Sequence, residues 1–165
     1  ALVGDSLASR YDAFKLAALA EKGALAGFLE QQGDQAALGG WLGAMLPLYG
    51  APVIDDHAVW SYFAARFGLK IVGHLEPKPG VPPTTMHLKS VIDTMNSKHV
   101  RAVLASPYYD PRHAEFVGKA TGAAVAHLAH QTGGIEGTDD YIAMIDYNVR
   151  ATVAALTVAA LTGEK

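Results

Sequence analysis

The chain has 165 residues, a length that can bury a sizeable core and ordinarily makes one domain. Half of its residues are apolar and no apolar run reaches the roughly 18 residues of a membrane span, so bilayer insertion is excluded as an expectation. A net charge of −3 with scattered Lys and Arg argues against a nucleic-acid partner, and the lack of cysteine excludes disulfides, thiolate metal sites and a cysteine nucleophile.

The first ten residues lack the charged start and apolar core of a signal peptide, so an exported protein is expected here in processed form or as an excised part. Over residues 5–21, Leu7, Tyr11, Phe14 and Ala18 recur at helical spacing, with Asp5 or Ser6 available as a cap. Leu25, Phe28 and Leu29 mark a second helix, and Leu38, Trp41, Leu42, Met45 and Leu46 a third. Residues 1–49 thus read as a helical segment and residues 50–165 as an α/β unit, together forming one compact domain.

After Gly50 strand and helix alternate. Residues 52–54 form a short apolar strand, and Trp60, Phe63, Ala64 and Phe67 make a helical stripe that stops at Gly68. Strands follow at 69–75, 100–105 and 123–128, with helices at 84–97, at 111–121 behind Pro111, and from Thr138 onward. The run 75–84 carries four of the eight prolines and reads as a stiff, polyproline-like connector. The pattern predicts an α/β fold: a four-stranded parallel sheet flanked by helices and preceded by an N-terminal helical segment.

Ligands approach such sheets at the carboxyl ends of the strands. The residues there are Asp55, Asp56 and His57; residues 76–83; residues 106–110; and residues 130–140. His57 is a candidate metal ligand or general base, with the alternative that Asp55 or Asp56 caps the next helix and His57 is an ordinary first-turn residue. Asp139 could bring a carboxylate to the same cleft, or Thr138, Asp139 and Asp140 could serve only as an acidic helix start. His74, His87, His99 and His113 are expected in surface or packing roles, His130 is a weak further candidate, and no nucleophile-elbow or phosphate-loop motif occurs. Asn148, on an otherwise apolar helix face, is expected to be a buried amide bonded to a loop.

These residues resemble the C-terminal lobe of the zinc/manganese class of metal-binding substrate-binding proteins of bacterial ABC transporters. The resemblance rests on His57-Ala58-Val59-Trp60-Ser61-Tyr62-Phe63, on the proline-rich run from Leu75 to Pro83, and on Pro107-Tyr108-Tyr109-Asp110-Pro111. It extends through Thr121-Gly122-Ala123 and Gly133-Gly134 to Asp139-Asp140-Tyr141 and Tyr147-Asn148. It implies one lobe of a two-lobe metal-binding protein that is not an enzyme, is periplasmic or extracellular, and serves an ABC transporter permease.

The resemblance places the lobe's histidine ligand on His57 and its carboxylate on Asp139, with Asp140 as the fallback. An imidazole at that place favours zinc, with manganese or another divalent metal ion as alternatives. The N-terminal lobe is not recognisable, no histidine precedes His57, and residues 1–22 resemble a remnant of the interlobe helix. The chain is therefore expected to carry half of a metal site, completed by an N-terminal lobe or by a second copy in a homodimer. Two other readings are a stand-alone interaction lobe without metal, and a small metal-dependent hydrolase using His57 and Asp139.

Overall fold

The computed structural model describes residues 11, 15, 16, 18, 19, 22–34, 39–78 and 80–162. Of the helix expected over 5–21, residues 15, 16, 18 and 19 are helical; Leu7, Phe14 and the caps Asp5 and Ser6 lie outside the described residues, as does Leu38.

Helix α1 (Leu25–Gln32) ends at Gly33, and α2 (Gly40–Met45) runs into a 3-10 turn, Leu46–Leu48. The alternating part follows: β1 (Pro52–Asp55), α3 (Ser61–Phe67), β2 (Lys70–His74), α4 (Thr85–Ser97), β3 (Ala102–Ala105), α5 (Pro111–Thr121), β4 (Ala124–His127) and α6 (Tyr141–Thr162). The four strands form one all-parallel sheet in the order β2-β1-β3-β4.

Helices cover both faces of this sheet, which is why its central strands are short apolar runs without polar alternation. Val53, Ile54 and all of Ala102–Ala105 are buried. Period-two geometry sends neighbours to opposite sides. Val53 and Leu104 join Met45, Trp60, Phe67, Leu128, Val149 and Leu156 in one core, beneath α2, α3 and α6. Ile54 and Val103 join Leu88, Val91, Met95 and Val117 in the other, beneath α4 and α5.

Two local expectations are corrected. The proline-rich segment is not one extended rod: the Val81 N–H donates to the Lys78 carbonyl at 3.0 Å and Gly80 has φ of 74°, so the chain turns back on itself. The last helix starts at Tyr141 instead of Thr138, because the buried Thr138 hydroxyl is committed to Ile135 and closes a loop. Among the described residues, no helix is long and apolar enough to cross a membrane.

Candidate functional site

The carboxyl end of β1 delivers three polar residues in succession to the sheet edge. Asp55 is fully buried and stands in register with His74 of β2. Its Oδ1 bonds His74 Nδ1, while Oδ2 is buried without a hydrogen-bond partner. Burial pushes the Asp55 carboxyl up to about 6, against the opposing pull of His74.

Asp56 fastens two loops together. Its Oδ2 accepts the Ser106 N–H at 2.6 Å and its Oδ1 the His57 N–H at 2.7 Å. Burial raises this carboxyl as well, and those two N–H groups hold it back. Neither aspartate caps α3, which starts at Ser61 without a side-chain cap bond. The helix-cap alternative for Asp55 and Asp56 therefore gives way to strand-end anchoring.

His57 follows, with its Nδ1 2.5 Å from Glu76 Oε2 and its ring stacked on Tyr109. Both partners come from neighbouring strands: Glu76 lies just beyond β2, where its N–H donates to the Asp56 carbonyl at 3.0 Å, and Tyr109 lies beyond β3. The His57 and Glu76 side chains are only 14% and 18% exposed, so the ring is held in one orientation at the mouth of a cleft of about 230 Å³. Asp56, Leu75, Pro82 and Arg112 also line that cleft. Glu76 Oε2 is nonetheless buried without a hydrogen-bond partner among the described residues, so the two side chains meet as a close charge approach and not as an aligned hydrogen bond.

The other sequence candidates lie elsewhere. Asp139 is exposed in the loop before α6 and is not among the residues lining the His57 cleft. Asp140 starts α6, its Oδ1 accepting the Ala143 N–H at 2.9 Å, and it faces a separate groove with Trp41 and Arg150. His130 stands edge-on to Trp60 and to Tyr108, the residue beside Tyr109, with ring centroids 6.2 and 6.3 Å away. Among the described residues, no three His, Cys, Asp or Glu side chains gather closely enough to hold a metal ion.

Glu76 is the residue that the sequence reading did not single out. Its partnership with His57 depends on β2 lying beside β1, and alternating strands and helices do not specify strand order. His74, expected in an ordinary role, instead orients the buried Asp55, and His87 Nε2 bonds the His74 carbonyl at 3.0 Å.

Comparison with known proteins gives concordant findings. Residues 38–155 match the family described as zinc-uptake complex component A, periplasmic. High-affinity zinc uptake system proteins of Brucella abortus and Brucella suis are 27% identical over 82 residues, covering 50% of this chain and 25% of each relative. Among solved structures, the laminin-binding protein Lbp of Streptococcus pyogenes superposes with a TM-score of 0.58 at 24% identity, over 70% of this chain and 46% of that one. The substrate-binding protein FpvC of Pseudomonas aeruginosa, solved with Mn2+, gives 0.57 at 20% identity, over 72% of this chain and 47% of its own. The match thus spans a quarter of the curated relatives and about half of the solved structures, and the structural likeness is one of fold.

Proposed function

Because the chain belongs to the zinc-uptake complex component A family, we propose that it is a divalent-metal-binding lobe of a substrate-binding protein that serves an ABC transporter permease in the periplasm or extracellular space. The observation that supports this reading is His57, an imidazole in close contact with the Glu76 carboxylate and stacked on Tyr109 at the carboxyl edge of the parallel sheet. The metal is cargo, and the chain's task is to hold and release it.

Zinc is the proposed ion, since imidazole nitrogen suits it better than the all-oxygen sites that manganese accepts. His57 is the proposed nitrogen donor and Asp139 the proposed carboxylate, with Asp140 in reserve. Asp140 is already engaged in capping α6, which favours Asp139 of the two. Closed tetrahedral zinc sites use four protein donors, so a chain offering two binds weakly on its own. The remaining donors would come from an N-terminal lobe or from a second copy of the chain.

Calorimetric zinc titration of the intact chain tests this, alongside His57→Ala, Asp139→Ala and Glu76→Gln. Binding is expected in the parent and lost in His57→Ala. A His57→Ala variant that binds as the parent does would overturn the reading, and a parent that binds no zinc would favour a stand-alone interaction lobe. If Asp139→Ala binds as the parent does, Asp139 is not the carboxylate donor. Sedimentation velocity at tens of micromolar separates the homodimer from a monomer awaiting its other lobe.

A further inference from the structure

The end of the sheet opposite His57 carries a second cavity with a different character. About 370 Å³ in volume, it opens at the amino ends of β1 and β3, with Leu48, Tyr49 and Leu156 forming its apolar side and Lys98, His99 and Arg101 its polar side. Lys70, at the start of β2, is not part of that lining but places its ammonium near Gly50, which is. Among the described residues, no carboxylate lines the cavity, and Lys70, Lys98 and Arg101 make no salt bridge.

This concentration of one sign stands out in a chain whose net charge is −3. Lys98 follows the C-terminus of α4, where a cation complements the helix dipole. That accounts for one charge of the three, while Arg101 and Lys70 have no ion-pair partner among the described residues. The turn that carries Lys98 and Arg101 is held in an unusual shape, with His99 at φ of 53°, a left-handed conformation uncommon outside glycine.

We infer that this amino-end cavity is an anion site for a phosphate-bearing ligand, distinct from the metal edge and independent of the metal reading. A guanidinium fork and an ammonium group lining one concavity, with the Lys70 ammonium beside it, match the several oxygens of a phosphate, and a cleft lined by one sign of charge concentrates the opposite ion. The apolar side formed by Leu48 and Leu156 suits the organic part of a phosphate ester. That ester is either a soluble compound or the headgroup of an anionic lipid.

The test uses the intact chain with two probes: inorganic phosphate, followed by phosphorus NMR titration, and phosphatidylglycerol vesicles compared with phosphatidylcholine vesicles by co-sedimentation. Saturable phosphate binding is expected, weakened at least tenfold by Lys98→Ala with Arg101→Ala and accompanied by shifts of the His99 ring resonances. The exposed pair Lys89→Ala with Lys119→Ala removes equal charge elsewhere and is expected to leave binding unchanged. Sedimentation with phosphatidylglycerol alone, abolished by the Lys98 and Arg101 substitutions, supports the site with a lipid as its source. Failure to bind either probe, or an equal loss in the control pair, overturns it.

Discussion

Asn148 grips Ala129 at both ends of its peptide group: its Oδ1 accepts the Ala129 N–H at 2.7 Å and its Nδ2 donates to the Ala129 carbonyl at 2.9 Å. The amide is 2% exposed, so it acts as a side-chain continuation of the β4 ladder and fixes the start of the loop that carries His130. Asn148→Leu keeps a similar volume but leaves both Ala129 groups unpaired. A loss of more than about 2 kcal/mol is expected in urea unfolding, since each buried orphan costs about 1–3 kcal/mol. A loss near zero would mean that water satisfies Ala129.

His57 and Glu76 are expected to differ in how they weaken zinc binding. His57→Ala removes a donor, whereas Glu76→Gln leaves the ring in place and removes the charge packed against it. Loss of such a partner ordinarily lowers metal affinity about 10- to 100-fold. Competition with a chromogenic chelator should therefore show no measurable zinc binding for the first variant and a reduced affinity for the second.

The pH dependence of stability should carry the mark of Asp55. In the folded chain this carboxyl protonates near 6, against an ordinary value of 3.8, so the folded state binds more protons throughout that interval. The residue therefore costs stability progressively as pH rises from about 4 to 6, and the cost is complete above that window. A shift of this size corresponds to roughly 3 kcal/mol. Asp55→Asn, which cannot ionise, should gain on the parent between pH 4 and pH 7.5 when urea midpoints are compared. A difference between the two chains that stays constant with pH would refute the assignment.

Gly68→Ala should be among the costlier single-methyl additions. The residue has φ of 74°, and a Cβ there would fall within the ring of Tyr49. Backbone strain and steric conflict act together, so a loss above about 1 kcal/mol and a lowered melting temperature are expected. If the clash contributes, removing the Tyr49 ring in the Gly68→Ala background should recover part of that loss.

The sheet was legible because its signals are local. Val53-Ile54 and the run Ala102–Ala105 are short apolar stretches, and Gly68 and Gly122 stop the helices that separate the strands. His57 could be marked for the same reason, as it follows the first such stretch directly. The carboxylate at its side could not be marked, because Glu76 reaches it only through strand adjacency. The Asp55–His74 pair was hidden in the same way: two residues 19 positions apart meet through register, and no spacing rule announces it. Asn148 was the exception, since an amide on a greasy helix face implies a buried partner even when the partner is unknown.

The change of pattern at Gly50 looks like a seam, yet the packing runs straight through it. Met45 is 1% exposed within the same core as Val53 and Leu104, the Trp41 indole donates to Asp146 of α6 at 3.1 Å, and Tyr49 rests against Gly23 and Gly68. A fragment begun at Gly50 would keep every strand while losing part of the roof over one side of the sheet. Such an amputated piece should recover poorly from dilution out of denaturant, whereas the 165-residue chain is expected to recover more fully.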